Sequence, residues 1–523
     1  MPGDPDSPRA TGEAHQARRL APVARPERPT LTSLRARLAE LDYRVDEVVD
    51  HLGTAAHAAL ARNHTLPGLR ALDGDDDPRA TLIRLWPLQA PVAHAAAEKA
   101  LPGLLDPLLS AGVLCATDDE VRASVDVRPY GSDDGLQGWV VSDLTPGMDG
   151  RVTRVADDYV LGVSPASTTL AQIATRTPVG TALDLGAGCG VQSLHLAQHA
   201  DTVVATDVNP RALRLADWTF GLSDVTVELQ HGDLYEPVGE RRFDQIISNP
   251  PYVMAPPASA HLTYREQGLP GDQLVREVTA GAAARLNPGG TAQLVANWAH
   301  PDDGDWAERL TTWVDGTGCD LHVVQREVLD PSEYVELWLT DAGLQGSPDF
   351  RVAYAEWLDH LVSIGVGAIG MGWIFLSRSD RAQPELTVEH WPHPVQQPVG
   401  ADVAQWPARS QAAHLPDAVL LDAHLAVAPD VVVESVGRPG EPDPQRLTLQ
   451  QQYGFRRAVT ASTALAGVVG ACDGELPLAV IINAVARLTE SEAETVSAEV
   501  LPQLRTLVRN GMLTVVDPSG AAA

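Results

Sequence analysis

The feature that most constrains this chain is one loop, Asp184-Leu-Gly186-Ala-Gly188-Cys-Gly190. It lies between a short apolar run at 181–185 and a helical pattern at 191–199. Three glycines on alternate residues permit a tight turn and let a ligand approach the backbone. Such a loop needs a strand before it and a helix after it, and the surrounding sequence repeats that alternation. Strand patterns at 202–206, 225–229, 243–248, 291–296, 321–328 and 334–340 are joined by helical patterns at 210–220 and 274–286. Alternating strands and helices predict a parallel sheet covered on both faces, in the α/β class.

The loop's ligand is narrowed by charge. Asp207 ends the second strand, 23 residues after Asp184, where a carboxylate can accept both hydroxyls of a ribose. A dinucleotide would place its pyrophosphate over the loop, against the carboxylate of Asp184. S-adenosyl-L-methionine has no phosphate, and its ammonium suits Asp184. Asp233, in Gly232-Asp233-Leu234 after the third strand, is placed to hold the adenine amino group. A nicotinamide cofactor and a ligand-free turn are the competing readings.

The fourth strand ends in Asn249-Pro250-Pro251-Tyr252. Ligands of such sheets lie beyond the carboxyl ends of the strands, so these residues face the cofactor. The carbonyls of the Asn249 side chain and of Pro250 can each accept one hydrogen of a planar NH2 group. Proline brings no competing N–H and stiffens the turn, and Tyr252 offers a flat face for stacking. Holding both N–H bonds while the nitrogen becomes tetrahedral is catalysis by positioning and electrostatics.

Residues 160–340 resemble a class I S-adenosylmethionine-dependent methyltransferase, on Asp184 to Gly190, Asp207, Asp233 and Asn249 to Tyr252. Within that class they most resemble the release-factor glutamine N5-methyltransferases of the HemK/PrmC type, including relatives with Asn-Pro-Pro-Tyr-Val and a nearby proline, here Val253 and Pro256. The resemblance implies a doubly wound seven-stranded sheet. It assigns Asp184, Gly186, Gly188 and Gly190 to the methionine end, Asp207 to the ribose, Asp233 to the adenine side, and Asn249, Pro250, Pro251 and Tyr252 to the target nitrogen. The stretch Val163-Ser-Pro165-Ala-Ser167-Thr168 stands where the family carries a loop over the methionine end, and departs from the bacterial Arg-Pro-x-Thr-Glu pattern. His261, Tyr264, Arg265 and Glu266 are candidates for the acceptor border, or simply a solvated helix start.

The 523 residues exceed one domain, and about 150 per domain suggests three or four. Residues 1–30, with six prolines and no apolar periodicity, read as disordered. Residues 31–122 read as a helical, winged-helix-like domain, 123–160 as a hairpin connector, 161–345 as the methyltransferase domain, and 346–523 as a strand-rich and then helical domain. Leu101-Pro102-Gly103-Leu104 with Gly112-Val113-Leu114 matches Leu501-Pro502-Gln503-Leu504 with Gly511-Met512-Leu513. The match is either an internal repeat or two similar helix ends. The uncharged stretch at 361–377 falls short of the roughly 20 apolar residues of a membrane span and reads as a helix end followed by a buried strand.

The acceptor is left open. Glutamine amides, adenine N6, cytosine N4 and guanine N2 are all flat NH2 groups. A formal charge of −31 favours a protein or small-molecule substrate over DNA, with a nucleobase as the alternative and a cofactor-binding regulator as the non-enzyme reading. Four scattered cysteines (Cys115, Cys189, Cys319, Cys472) form no CxxC or Cys/His cluster, so neither a metal site nor a disulfide framework is expected. The N-terminus lacks a signal-peptide pattern, no membrane contact is expected, and a reducing cytoplasm is the location expected.

Overall fold

A computed structural model describes residues 20–151, 155–257, 269–439 and 444–516. Its centre is an eight-stranded sheet. The strands are β1 (Val179–Leu185), β2 (Ala200–Asp207), β3 (Glu228–His231), β4 (Phe243–Ser248), β5 (Leu286–Pro301), β6 (Cys319–Leu329), β7 (Val366–Arg378) and β8 (Leu386–His390). Their order is β8-β6-β7-β5-β4-β1-β2-β3. β1 to β5 run parallel; β7 is antiparallel to both β5 and β6, and β8 is parallel to β6. The chain leaves β1 toward β2 on one side and returns to β4 on the other. That reversal opens a crevice at the carboxyl ends of β1 and β4.

The helices that matter to the crevice are α1 (Pro165–Ile173), α2 (Val191–Leu196), α3 (Pro210–Ser223), α4 (Gln273–Arg285), α5 (Pro331–Asp341) and α6 (Phe350–Ser363). α3 starts on Asn209, whose side chain accepts the Arg211 N–H at 2.9 Å, with Pro210 in the first turn. It is buried nearly all round, because one face covers the sheet and the other meets the hairpin Val125–Gly131/Gln137–Asp143. Arg211 reaches across to Asp143 through a two-pronged ion pair at 2.5–3.1 Å, and Val141 N–H donates to Thr219 Oγ1 at 2.9 Å.

Three expectations need correction. The segment 334–340 is not a strand. It lies in α5, opened by a capping box in which Asp330 accepts from Ser332 and Glu333 while Glu333 accepts the Asp330 N–H. Its buried residues Tyr334, Val335, Trp338 and Leu339 recur at helical spacing. The seventh strand is instead β7, and an eighth, β8, is added, so the central sheet extends past residue 345 to His390. Two glycines let β7 pass between its neighbours. A Cβ on Gly370 would lie 2.2 Å from both Trp298 Nε1 and Gln325 Oε1, and one on Gly372 would lie 2.1 Å from the Val324 carbonyl. The helix end and strand expected at 361–377 are the end of α6 and β7.

The third correction concerns residues 20–30. Residues 20–27 form an extended strap that is pinned at several points, and a helix begins at Arg28. Ala24 N–H donates to Ala111 O, Trp218 Nε1 donates to Ala24 O, and Arg211 donates to Ala21 O. Val23 is buried.

The flanking domains share a layout. In the first, strand Val92–Ala93, helices His94–Ala100 and Leu105–Ser110, and strand Leu114–Ala116 are joined by a third strand, Glu120–Ala123, lying between the two. In the second, strand Asp473–Pro477, helices Leu478–Leu488 and Ala493–Arg509, and strand Leu513–Val516 enclose a third strand, His424–Val427. The segments matched in sequence are equivalent in position. Both helices are closed by a glycine of positive φ, Gly112 (+74°) and Gly511 (+72°), before the strand starts. The middle strand follows its unit in the first domain and precedes it in the second. Among the described residues no helix is long and apolar enough to cross a membrane.

Candidate active site

The crevice holds a cavity of about 540 Å³, within the size range of small-molecule sites. β1 delivers Asp184 to its floor. The side chain is buried and accepts a hydrogen bond from Ser193 Oγ at 2.7 Å. Burial pushes its carboxyl up to about 7, against the Ser193 bond and with a further push from Asp207. The glycine loop then turns over β2, with the N–H groups of Gly186 and Ala187 both donating to the Thr206 carbonyl at 2.9 and 3.0 Å. Gly186 and Gly188 have φ of +78° and +54°, line the cavity and have no atom within 4 Å of where a Cβ would stand.

Gly190 is different. It does not line the cavity. Its φ of +83° starts α2, and a Cβ there would lie 2.6 Å from the Phe220 ring. The third glycine of the motif is a packing position, required by the approach of α3.

Asp207 is held from two sides: Oδ2 accepts the Gly188 N–H and Oδ1 the Asn209 N–H, both at 2.8 Å. Burial raises its pKa despite these bonds. Each oxygen keeps a lone pair for one hydroxyl donor, the demand a ribose makes. Asp233 stands at the exposed rim after β3, beside Leu234 at φ +44°.

Asn249, Pro250, Pro251 and Tyr252 line the same cavity. Ser248 Oγ donates to the Leu185 carbonyl at 2.8 Å, locking the end of β4 to the end of β1. Asn249 Oδ1 is buried and has no hydrogen-bond partner among the described residues. A buried amide oxygen without a donor is costly, and this one belongs to a residue that lines the cavity.

α5, a helix where the sequence pattern predicts a strand at 334–340, supplies a further wall. Leu337, Trp338 and Asp341 line the cavity. Trp338 packs against Tyr252 with ring centroids 6.2 Å apart and planes tilted by 60°. Tyr334 Oη accepts the Met254 N–H at 3.0 Å, and burial raises that phenol's pKa. The signal was present as the Asp330–Glu333 capping box. Asp157 and Tyr159 of the connector also line the cavity, as do Ser164 to Ser167. The latter stretch is the start of a helix rather than a loop: Ser164 Oγ accepts the Ser167 N–H at 3.2 Å. The side chain of Gln192 reaches Ser167 from α2, Nε2 donating to the Ser167 carbonyl at 2.7 Å. His261, Tyr264, Arg265 and Glu266 lie outside the described residues.

The described lining contains five aspartates (Asp157, Asp184, Asp207, Asp233 and Asp341) and no lysine, arginine or histidine. A pyrophosphate would meet no counter-charge there, whereas a cationic nucleoside fits. Among the described residues no group of three or more histidine, cysteine, aspartate or glutamate side chains could hold a metal ion.

Residues 162–304 match the family model described as methyltransferase small domain. Residues 40–124 and 404–515 match two domains of unknown function, DUF7059 and DUF7782. The ribosomal protein uL3 glutamine methyltransferase of Bradyrhizobium diazoefficiens is 37% identical over 127 residues, covering 22% of this chain and 40% of the relative. The release factor glutamine methyltransferase of Geobacter sulfurreducens is 36% identical over 128 residues, covering 22% and 45%. The ribosomal RNA small subunit methyltransferase C of Alcanivorax borkumensis is 30% identical over 118 residues, covering 23% and 32%. The chain thus spans less than half the length of these relatives. Among solved structures, a T. thermophilus 16S rRNA N2 methyltransferase in complex with AdoMet and guanosine aligns over 40% of this chain and 55% of its own, at 21% identity and a TM-score of 0.25. At its centre the chain is similar, in sequence and in fold class, to the class I S-adenosylmethionine-dependent methyltransferases of the HemK/PrmC type.

Proposed function

We propose that the chain transfers a methyl group from S-adenosylmethionine to a planar NH2 nitrogen, the side-chain amide of a protein glutamine. The observation that carries this reading is Asn249 Oδ1, buried and unpartnered at the end of β4 inside the cavity that also holds Asp184 and Asp207. Asp184 would take the ammonium of the methyl donor, Asp207 the two ribose hydroxyls and Asp233 the adenine amino group. When bound, the cofactor supplies an electrophilic methyl group.

The chain's own residues do the rest. An amide nitrogen is a poor nucleophile because its lone pair is delocalised. Asn249 Oδ1 and the Pro250 carbonyl accept its two N–H bonds while the nitrogen becomes tetrahedral and its lone pair localises. As the N–CH3 bond forms the S–CH3 bond breaks, the thioether leaves as S-adenosylhomocysteine, and one of the two N–H protons is then lost to solvent. Pro250 and Pro251 have no N–H to compete. Tyr252, backed by Trp338, supports the flat face of the acceptor. Leu274, Val278 and Trp338 give the cavity apolar walls that thin out water and strengthen these bonds.

A protein acceptor is favoured by charge. The lining is acidic among the described residues and the whole chain carries −31, which repels a phosphate backbone. The glutamine methyltransferases among its relatives point the same way. A cytoplasmic site of action belongs to this reading, supported by four free thiols.

The test is incubation of the purified chain with tritiated S-adenosylmethionine and a cell extract divided into protein and RNA fractions. Label is expected in protein, and mass spectrometry is expected to place one methyl group on a glutamine nitrogen. Label confined to RNA would establish the nucleobase alternative. Methyl found only on carbon or oxygen would overturn the proposed role of Asn249.

A further inference from the structure

Gln192 is the second residue of α2, only 5% exposed, and it lines the cavity. Its Nε2 donates to the Ser167 carbonyl at 2.7 Å. A carbonyl can only accept, so the amide nitrogen is fixed toward Ser167 and the oxygen must face away. That oxygen, Oε1, is buried and has no hydrogen-bond partner among the described residues. The next residue, Ser193, holds Asp184 from the same turn of helix at 2.7 Å.

An unpaired buried amide oxygen costs free energy until a donor arrives. The described lining has no lysine, arginine or histidine to provide one. No described side chain or backbone N–H is bonded to Oε1, and the ligand read for this cavity carries one cationic donor group with three N–H bonds. We propose that Gln192 is a cofactor-binding residue that accepts one N–H of the methionine ammonium through Oε1, alongside Asp184. The inference rests on the reading of the cavity as a site for S-adenosylmethionine. It adds a link that the glycine loop alone does not supply. One side chain joins the amino-acid end of the ligand to Ser167, in the first turn of α1, so that end of the ligand and the start of α1 are ordered together.

The experiment compares two nucleosides by calorimetry. S-adenosylhomocysteine has the ammonium; methylthioadenosine has the same adenosine and sulfur but lacks the amino-acid end. In Gln192→Met, which keeps the length of the side chain and removes both polar atoms, affinity for S-adenosylhomocysteine is expected to fall about tenfold, as for loss of a charge-assisted bond. Affinity for methylthioadenosine is expected to stay within about twofold. In the wild-type chain, the Gln192 side-chain amide resonances are expected to shift on adding S-adenosylhomocysteine and to stay in place with methylthioadenosine. This measurement stands even where the variant does not fold. Equal loss of both nucleosides, no loss of either, or identical amide shifts with both would overturn the role of Gln192. If the wild-type chain bound neither nucleoside, the reading of the cavity itself would fail instead.

Discussion

The Tyr334 phenol oxygen accepts the backbone N–H of Met254 at 3.0 Å, joining a helix between two late strands to the turn that begins at Asn249. Tyr334 is fully buried, and its ring meets Trp338 edge-on at 6.0 Å, which in turn leans on Tyr252. Removing only the oxygen, in Tyr334→Phe, frees the acceptor turn while leaving the cofactor end of the cavity intact. Turnover is expected to fall about five- to tenfold, the effect of one hydrogen bond of about 1 kcal/mol, with affinity for S-adenosylhomocysteine unchanged. In the Asn249→Ala background the same change is expected to add less than about a twofold loss. Additive losses in the double variant would show that Tyr334 does not act through the turn.

Asn249 itself separates binding from turnover. Its oxygen waits for the acceptor, so Asn249→Ala is expected to lower methyl transfer by about 100-fold or more, the scale of losing a preorganised polar contact. Cofactor affinity is expected to move by less than about threefold. Radiolabel transfer and calorimetry on one preparation check both quantities. Equal loss in the two would mean that Asn249 serves the cofactor rather than the acceptor.

Legibility from sequence followed locality. β1, the glycine loop, Asp207 and the Asn249 turn form continuous strand–turn–helix units whose residues carry their own signals, and among the described residues all of the expected site residues except Gly190 border one cavity. Gly190 departs from the expected role because its neighbour, Phe220, lies in a helix one strand further along. The segment 334–340 imitates a strand through its Tyr-Val-Glu-Leu-Trp-Leu alternation, and only the capping box upstream distinguishes it. β7 reads as a buried strand, but its insertion between β5 and β6 depends on non-local pairing that no window of sequence encodes. Gln192 carries no signal of its own in the sequence, because its partner, Ser167, is 25 positions away.

The motif glycines divide into two kinds. Gly190→Ala sets a Cβ 2.6 Å from Phe220 at φ +83°, adding overpacking of about 1–3 kcal/mol to backbone strain of about 1–2 kcal/mol. Gly186→Ala, at φ +78° with open space around the new methyl, bears the strain alone but intrudes on the ligand. The first variant is expected to have the larger loss in thermal melting with cofactor affinity retained at low temperature. The second is expected to show the reverse. Matching losses of affinity in both, measured while folded, would return Gly190 to the ligand.

The Arg211–Asp143 pair, with both side chains about 2% exposed, fastens α3 to the hairpin. Arg211→Met leaves the Asp143 carboxylate buried with the Val160 N–H at 2.8 Å and without its cation, and is expected to cost about 3–5 kcal/mol in denaturant unfolding. Asp143→Asn in the same chain removes the stranded charge and is expected to recover much of the loss. A double variant no more stable than Arg211→Met would show that packing, and not charge, dominates there.

Asp184 sets stability against binding. Its carboxyl is pushed up to about 7 by burial from an ordinary value of 3.8, so between pH 4 and 7 the folded chain without ligand holds a proton that the unfolded chain has lost. Stability therefore falls as pH rises through that window, by up to about 4 kcal/mol at about 1.4 kcal/mol per unit, and is flat above it. Asp184→Asn escapes this cost: it is expected to be the more stable protein at pH 8 and to converge with wild type near pH 4. Ligand binding runs the other way, because a cationic ammonium needs the carboxylate. Affinity of the wild type for S-adenosylhomocysteine is expected to fall toward tenfold per unit as pH drops below about 7, while the Asn variant binds weakly with little pH dependence. Denaturant titrations and calorimetry across pH 4–8 measure both slopes. Parallel stability curves for the two proteins would show that Asp184 bears no burial cost, and a flat wild-type affinity would remove it from the ammonium.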